Sequence, residues 1–441
     1  MRTVAILLAS LLAIAAAGCD SSSPDEPAPS RTTPITERGL VEHLRALQRI
    51  AEREGGERAA GTPGYRASVD YVAGVLREAG WRVDVRKVPL RQPVERSEAR
   101  LSIESLGALA AGEDFRTLSY SGAGGGRGAL RGVDDGCDPS DVVALEAGEV
   151  ALAERGACFF SDKAANARRA GALALIVADT SAGRGLPSAT LGRPVELPAL
   201  IVRRELGARL RDGQRVALRV DAAIERDTTW NVIADAGAGG RVAMAGAHLD
   251  SVPAGPGIND NGSGVAALLE SAGALGPRPP GRVRLAFWGA EELGLVGSRH
   301  YVRSLSRAER GELAGYLNFD MVGSPNAAPA VYGDGDERLT DLLRRVHPGR
   351  EEGVSAGGRS DHAAFEGAGI PVSGLYTGSE ERGPNGRPRD PCYHLPCDTL
   401  ANVDRRVLLR MARATARALG ELLRELGLEP FAMTTGSRGL H

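Results

Sequence analysis

The sequence predicts an α/β fold: a mixed, mostly parallel sheet with helices on both faces, interrupted by a β-rich insertion. Apolar runs of strand length alternate with helical patterns in residues 35–94 and again in residues 223–428, which is typical of a parallel sheet covered by crossover helices. Between residues 95 and 222, short strand-like runs and glycine-rich turns replace that alternation. The chain of 441 residues is long enough for one large domain with an inserted one.

Two amphipathic helices and a strand open the first α/β segment. Apolar residues recur at helical spacing between Ile35 and Arg53 and again from Val69 to Leu76. A glycine- and proline-containing loop, Arg58–Gly64, separates the two helical patterns, and Trp81–Leu90 alternates like a strand.

Four apolar strands mark the second α/β segment. The predicted strands are Val242–Ala247, Val283–Trp288, Tyr316–Phe319 and Ile370–Tyr376, with helices beginning near Ser263 and at Leu339–Val346 and Val407–Leu426. Ligands of open α/β sheets bind beyond the carboxyl ends of the strands. We therefore look for a functional site in the loops that follow these strands.

The N-terminus reads as a targeting segment. Arg2 precedes the apolar run Val4–Ala17, and residues 1–18 form a predicted signal peptide. The sequence up to Cys19 resembles a bacterial lipoprotein signal, in which Cys19 would be lipidated; ordinary secretion after cleavage is the alternative. Residues 19–34 form a serine- and proline-rich disordered tether, and residues 429–441 form a tail without periodicity. We expect an exported protein, either a membrane-anchored lipoprotein or secreted or periplasmic.

Composition limits the classes of partner. A net charge of −2 gives no reason to expect nucleic acid. A mean hydropathy of −0.17 is ordinary for a soluble globular protein, and no second apolar run reaches spanning length. Membrane contact is therefore expected only through an N-terminal lipid anchor, and we expect a monomer.

Four cysteines besides Cys19 remain, namely Cys137, Cys158, Cys392 and Cys397. An even number in an exported chain predicts two disulfides, most simply between the pairs that are near in sequence. A zinc site built from cysteines is the alternative, but no CxxC motif occurs and an oxidising compartment disfavours free thiols.

The inserted segment carries its own pattern. Gly136-Cys137 is followed by the stretch Val150–Lys163, by a helix that leads into Ala170–Val177, and by the later strand Leu197–Val202. This arrangement resembles the protease-associated domain, a β-rich module inserted in several exported peptidases. The resemblance assigns residues 95–222 to that domain; an unrelated α/β insertion is the alternative.

Imidazoles and carboxylates gather after the predicted strands. The stretch Ala245–Gly264 carries His248, Asp250 and Asp260, and the other acids and the second imidazole are Glu291, Glu292, Asp320 and His394. A pair of zinc ions needs such a set, because each ion takes histidine nitrogen and carboxylate oxygen while one carboxylate bridges. Of the adjacent Glu291 and Glu292, one is expected to bind metal and the other to act as a general base.

Five stretches in register resemble the secreted bacterial di-zinc leucyl aminopeptidases, in the wider family that includes glutamate carboxypeptidase and the transferrin receptor. The stretches are AGAHLDSVPAGPGINDNGSG, WGAEELGLVGS, LNFDMVGSPN, GRSDHAAF and PCYHLPCDT. The resemblance implies a zinc exopeptidase fold formed by residues 35–94 and 223–428, two zinc ions as cofactors and peptides as substrates. It also implies removal of the N-terminal residue, with a preference for bulky apolar residues.

The resemblance also implies a role for each residue. His248 and Asp320 would hold one zinc, Glu292 and His394 the other, and Asp260 would bridge them. Glu291 would be the general base, Asp250 would accept the second N–H of the His248 imidazole, and Tyr393 would donate to the developing oxyanion. Arg359 would help to hold a substrate or product carboxylate, and a Cys392–Cys397 bridge would fix the loop that carries Tyr393 and His394. Asp250 as a cap of the following turn is the alternative for that residue.

Other functions remain open at this point. A metallocarboxypeptidase or dipeptidase could use the same fold, since the end of the substrate that is recognised depends on loops such as 379–390. A glutaminyl cyclase would need only one zinc, and a non-catalytic binding protein would be expected to have lost ligands or the base. The full set of acids and imidazoles favours the aminopeptidase.

Overall fold

A computed structural model describes residues 33–181, 185–332, 336–347 and 358–427. The predicted signal peptide, Cys19 and the C-terminal tail lie outside these residues. The described strands are β1 (Arg82–Ile103), β2 (Gly107–Ala108), β3 (Phe115–Thr117), β4 (Gly124–Gly132), β5 (Val150–Glu154), β6 (Ala174–Ala178), β7 (Ala199–Val202), β8 (Arg215–Ala236), β9 (Val242–His248), β10 (Arg282–Trp288), β11 (Leu313–Phe319), β12 (Ala330–Tyr332) and β13 (Val372–Tyr376). The described helices are α1 (Glu37–Arg53), α2 (Pro63–Glu78), α3 (Phe160–Arg169), α4 (Arg204–Gly207), α5 (Gly262–Leu275), α6 (Val296–Ser304), α7 (Arg307–Glu312), α8 (Glu337–Val346), α9 (His362–Glu366) and α10 (Arg405–Glu425).

Parallel pairing holds the centre of the sheet together. Strand β9 pairs in parallel with β10 and β11, and β11 pairs in parallel with β13. Antiparallel neighbours flank this centre, β8 beside β10 and β12 beside β13. Every residue of β9 is buried, as expected for a strand covered on both faces. The predicted mixed, mostly parallel sheet is confirmed.

Helices cover both faces of this sheet. On one face, α1, α2, α5, α8 and α10 contribute to the largest apolar core. On the other face, α6 and α9 pack around an aromatic group in which the Tyr316 and Phe365 rings stack with their centroids 3.8 Å apart. Helix α1 begins where Thr36 accepts a hydrogen bond from the Gly39 amide, an N-cap that fixes its first turn.

A long two-stranded ribbon connects the sheet to the insertion. Strands β1 and β8 have 22 residues each and pair antiparallel from Arg82 with Asp235 to Ile103 with Val216. The predicted domain boundaries at residues 94/95 and 222/223 fall at the same height on this ribbon, because Val94 pairs with Ala223 and Glu95 with Ala222. The boundaries stay a prediction, and the register becomes irregular just beyond them, after Glu95.

The insertion has a small sheet of its own. Strands β4, β5, β6 and β7 pair in parallel in that order, and β3 pairs antiparallel with β7. Helix α3 packs against β6. Among the described residues, no helix of the protein has both the length and the apolar character needed to cross a membrane.

Both predicted disulfides lie at bonding distance. Cys137 and Cys158 join two loops of the insertion with their Cα atoms 5.8 Å apart. Cys392 and Cys397 close a short loop with a Cα separation of 5.3 Å. The pairing of sequence neighbours is therefore the one that the structure contains.

Candidate metal centre

Three strand ends deliver side chains to one edge of the sheet. His248 is the last residue of β9, Glu291 and Glu292 follow β10, and Asp320 follows β11 directly. Neighbouring parallel strands end at the same edge, so these side chains lie close together. Asp260 comes from the loop before α5.

Five predicted ligands meet around a shared carboxylate. His248 Nε2 lies 3.1 Å from Asp260 Oδ1 and 3.3 Å from Asp320 Oδ1. His394 Nε2 lies 3.1 Å from Glu292 Oε2 and 3.3 Å from Asp260 Oδ2. We call His248 with Asp320 the first half-site and Glu292 with His394 the second half-site. Asp260 stands between them with one oxygen toward each.

The donor set fits a metal. Two groups of three residues have candidate ligand atoms within 4.8 Å of one another. The first group is His248, Asp260 and Asp320, and the second is Asp260, Glu292 and His394. Glu292 Oε1 and Asp320 Oδ1 are buried without a hydrogen-bond partner. Buried polar atoms are nearly always hydrogen-bonded, so these two carboxylate oxygens are available as ligands of a cation, although Asp320 Oδ1 also lies within ion-pair distance of His248 Nε2. Histidine nitrogen and carboxylate oxygen are ligands that zinc takes.

The electrostatic field at this centre is strongly negative. Burial lowers the pKa of His248, yet the carboxylates of Asp320 and Glu291 outweigh burial and hold that pKa well above its usual value. Burial also lowers the pKa of His394, but nearby groups, chiefly the Glu292 carboxylate, outweigh burial and hold that pKa well above its usual value. Such a field favours any positive charge at the centre, whether a proton or a metal ion.

Glu291 differs from its neighbour Glu292 in its surroundings. It is buried, and burial raises the pKa of its carboxyl group well above the usual value, with Glu292 adding to the rise and His248 opposing it. One of its carboxylate oxygens lies within 4.8 Å of a ligand atom of His248, in the first half-site, and of Glu292, in the second. A carboxyl group beside the candidate ligands of both half-sites is placed to take a proton from a water molecule there.

Asp250 lies between the His248 imidazole and the turn that bears Glu291 and Glu292. Its Oδ1 lies 3.8 Å from His248 Nδ1, too far for a hydrogen bond, and the Nδ1 hydrogen bond goes to the main-chain carbonyl of Asp250 at 3.1 Å. The carboxylate instead accepts from the backbone amides of Glu291 and Glu292, at 3.1 Å and 3.3 Å. In this structure Asp250 orients the imidazole through its backbone carbonyl and the Glu291–Glu292 turn through its side chain. A hydrogen bond from the imidazole to the Asp250 carboxylate stays a prediction.

Tyr393 lies beside a predicted ligand, and Arg359 pairs with an acidic residue. The Tyr393 ring stacks on His394 with centroids 3.9 Å apart, and burial raises the pKa of its phenol to about 12. The phenol therefore keeps its proton at neutral pH. Arg359 is half-exposed and forms an ion pair with Glu380 at 3.3 Å. Its guanidinium group therefore already has an acidic partner.

Asp398 is a contributor to which the sequence analysis assigned no role. Its two carboxylate oxygens accept hydrogen bonds from the backbone amides of Asn259 and Asp260, at 2.8 Å and 2.9 Å. The loop that bears the shared carboxylate is therefore held from the disulfide-containing segment. The position of Asp398 at the end of the stretch PCYHLPCDT was the available signal.

Arg58 was also missed, although its loop was recognised. The side chain is fully buried, and its guanidinium donates to the carbonyl oxygens of Leu249, Pro256 and Gly257. Its backbone amide donates to Ser251 Oγ at 2.9 Å. The Arg58 side chain thus holds both ends of the loop between His248 and Asp260 through hydrogen bonds to its backbone. The loop lies 191 to 199 positions away in sequence, so spacing gave no signal.

Replacing Arg58 by Met should destabilise the metal-free protein by about 3 kcal/mol or more, because three buried carbonyl groups lose their donor. Arg58→Lys should restore part of this free energy, since an ammonium group can reach only some of the acceptors. Urea unfolding of the metal-free protein measures both values. Arg344→Met, which removes an exposed ion pair with Asp341, is the control and should change stability by less than about 1 kcal/mol. Equal effects of the two Met variants would contradict the role of Arg58.

The short disulfide loop holds a strained backbone. His394 has a φ of +58°, a left-handed conformation that costs a non-glycine residue of the order of 1–3 kcal/mol. The Cys392–Cys397 bridge and the hydrogen bond from the Leu395 amide to the Cys392 carbonyl, at 3.0 Å, enclose this residue. The loop geometry is therefore imposed on His394 from both sides.

Replacing Cys392 and Cys397 by Ser should lower stability by about 2 kcal/mol and activity by roughly 10- to 100-fold, because a metal ligand loses its support. The matched control replaces Cys137 and Cys158, whose bridge spans 21 positions in the insertion. That change should cost more stability, about 3 kcal/mol, and less activity. Thermal unfolding and initial rates measure the two effects. A larger activity loss in the control would contradict this assignment.

Comparisons with known proteins identify the two parts of the chain. The model of Peptidase family M28 matches residues 231–419, and the PA domain model matches residues 127–210. An aminopeptidase of Pseudomonas aeruginosa is 38% identical over 415 residues, with 84% of this chain and 77% of that protein covered. The probable lipoprotein aminopeptidase LpqL of Mycobacterium tuberculosis is 40% identical over 435 residues, covering 88% and 85%.

A solved structure gives the same result. The zinc aminopeptidase of Bacillus subtilis superimposes with a TM-score of 0.69 at 27% identity, over 88% of this chain and 95% of that one. The identity and coverage of the relatives are enough to assign the family. The chain therefore belongs to peptidase family M28, among relatives named aminopeptidases, and it carries an inserted PA domain.

Proposed function

We propose that this M28 enzyme is an exported di-zinc aminopeptidase that removes the N-terminal residue, preferably a bulky apolar one, from peptides. The observation that carries the proposal is the Asp260 carboxylate, which turns one oxygen to His248 and the other to His394. A carboxylate shared between two histidine-containing groups is the arrangement that a pair of metal ions requires.

In this proposal His248 and Asp320 would hold one zinc, Glu292 and His394 would hold the other, and Asp260 would be shared between them. Bound zinc would polarise the scissile carbonyl and lower the pKa of a water molecule. Glu292 Oε1 and Asp320 Oδ1 are buried without a hydrogen bond, and their positions, one in each half-site, support the assignment of one ion to each.

Glu291 carries the proton in the proposed mechanism. Its carboxylate accepts a proton from the attacking water as the water oxygen bonds to the carbonyl carbon. When the peptide C–N bond breaks, Glu291 returns that proton to the leaving amine nitrogen. Its burial and its position support this role, because one of its carboxylate oxygens lies within 4.8 Å of ligand atoms of His248 and Glu292.

Two further residues act on the substrate in this proposal. The Tyr393 phenol donates a hydrogen bond to the oxyanion that develops on the scissile carbonyl. Arg359 helps to hold a substrate or product carboxylate. Its guanidinium group would then bind that carboxylate and the Glu380 carboxylate at the same time. The carboxylates around the half-sites would attract the free ammonium group of the substrate.

Export is supported by two findings of different kinds. The structure contains two disulfides, which persist in oxidising compartments. One relative is named as a probable lipoprotein. Lipidation of Cys19 would place the enzyme at a membrane surface, and a cleaved signal peptide without lipidation would release it. Labelling with a radioactive fatty acid, compared between the natural protein and Cys19→Ser, distinguishes these outcomes.

The test is a panel of aminoacyl chromogenic substrates and peptides, each with a free and an N-acetylated amino terminus. We expect hydrolysis of the free compounds, fastest with bulky apolar first residues, and rejection of the acetylated ones. A chelator should abolish the activity and added zinc should restore it. Hydrolysis of the acetylated peptides would instead identify a carboxypeptidase or another peptidase on this fold.

A further inference from the structure

One loop of the PA domain reaches the centre of the peptidase. The segment Gly185–Gly192, which we call the insert loop, is part of the connection between β6 and β7. Loops at a domain surface are usually exposed, but Leu186, Pro187 and Ser188 are buried. These residues are therefore shielded from solvent by other parts of the protein, and their contacts lie with the segments that form the second half-site.

His394 receives the first contact. Its Nδ1 lies 3.0 Å from the carbonyl oxygen of Ser188, and the Ser188 amide donates to the His394 carbonyl at 3.4 Å. A hydrogen bond at Nδ1 fixes the imidazole tautomer and turns Nε2 toward Glu292 and Asp260. The group that orients this ligand thus comes from the insertion, 206 positions away in sequence.

The turn that carries Glu291 and Glu292 receives the second contact. Leu186 and Leu191 of the insert loop belong to the same buried apolar cluster as Ala290 and Leu293, the residues on either side of the two glutamates. The loop also lies tight against the next residue of that turn, since a Cβ added at Gly294 would come within 2.7 Å of the Gly192 carbonyl oxygen. The insert loop therefore packs against both segments that form the second half-site.

The first half-site is supported differently. His248 Nδ1 bonds to the Asp250 carbonyl, and Asp320 Oδ2 accepts from Ser360 Oγ at 2.7 Å. Both partners belong to the peptidase segments, and both ligands stand at the ends of sheet strands. In the described part of the chain, the insert loop makes no hydrogen bond to either ligand.

We propose that the insert loop is a structural part of the second half-site, so that zinc affinity there depends on the PA domain while affinity at the first half-site does not. The inference rests on the proposed two-zinc function. In this arrangement Ser188 is a positioning residue that acts through His394. The PA domain then serves the catalytic centre itself.

The test loosens the insert loop and compares it with an equivalent change elsewhere. The variant Pro187→Gly/Ser188→Gly gives the loop backbone more freedom and removes the Ser188 hydroxyl, which accepts from Arg116 at 3.3 Å. The control is Pro139→Gly/Ser140→Gly, a second Pro-Ser pair of the same insertion, which is exposed. Thermal unfolding checks that both variants remain folded.

Zinc titration of the metal-free proteins is the first readout. In the Pro187→Gly/Ser188→Gly variant, one zinc equivalent should bind as in the natural protein, and the other should bind roughly 10- to 100-fold more weakly. The control should match the natural protein. Unchanged binding of both equivalents, or equal weakening of both, would overturn the inference. Binding of fewer than two equivalents by the natural protein would overturn the two-zinc function instead, and the second readout then decides the inference.

Nitrogen-15 NMR of the histidine side chains is that second readout, and it does not depend on the number of zinc ions. The Nδ1–H of His394 should exchange slowly with water in the natural protein, where the Ser188 carbonyl accepts it, and faster in the insert-loop variant. A milder variant, Arg116→Met, leaves the loop sequence intact and should shift both readouts in the same direction by a smaller factor. An identical His394 signal in the natural protein and both variants contradicts the proposal.

Discussion

Replacing Glu291 by Gln is expected to remove nearly all turnover while zinc stays bound. The amide keeps the size of the side chain but cannot take a proton from water or return one to the leaving amine. Removal of a general base costs roughly 100- to 10,000-fold in rate, and kcat should carry this loss while KM changes little. Steady-state kinetics and the zinc-to-protein ratio are measured on the same preparation.

Two outcomes would contradict the role of Glu291. Full activity of the Gln variant would exclude it as the base, and loss of zinc together with activity would make it a ligand. The second outcome has a structural basis, because the candidate ligand atoms of Glu291, Glu292 and His248 lie within 4.8 Å of one another and could hold a metal ion. Glu366→Gln, at an exposed glutamate in α9, is the control and should leave both measurements unchanged.

The five predicted ligands come together because each stands in a local pattern that the sequence displays. A buried strand followed by an acid or an imidazole places that side chain at the edge of a parallel sheet, whatever the rest of the chain does. His248 and Asp320 are of this kind. Their approach to Asp260 follows from the order of strands β10, β9 and β11, which only the structure provides.

The partners of these ligands were harder to predict, because backbone groups supply many of them. The carbonyls of Asp250 and Ser188 accept from the two imidazoles, and the amides of Asn259 and Asp260 bond to Asp398. Every residue has a carbonyl group and nearly all have an amide, so residue type carries no signal for such contacts. They depend on tertiary placement alone.

The ribbon of β1 and β8 shows the same limit at the level of the fold. Alternation predicted a strand only to Leu90, whereas β1 continues to Ile103. The change in composition near residue 95 suggested a domain boundary, but pairing with β8 carries the strand past it. Most residues from Val94 to Arg100 are exposed or half-buried, so the apolar pattern fades there while the hydrogen bonds persist.

Replacing Asp260 by Asn should abolish metal pairing and, with it, activity. The amide group is neutral and has one acceptor oxygen, so it cannot turn a charged oxygen to each of His248 and His394 as Asp260 does. Zinc content should fall from about two ions per chain to about one or fewer. Metal analysis after dialysis measures this ratio, and Asp341→Asn, at an exposed residue of α8, controls for handling.

The residual zinc in the Asp260→Asn variant carries further information. If one ion remains, combining Asp260→Asn with the loosened insert loop shows which half-site holds it, because only the second half-site should respond to the loop. An ion that survives the combination belongs to His248 and Asp320, the ligands fixed by strand ends. Retention of two ions in Asp260→Asn would show that the half-sites bind independently. The carboxylate between the imidazoles would then orient them without bridging metals.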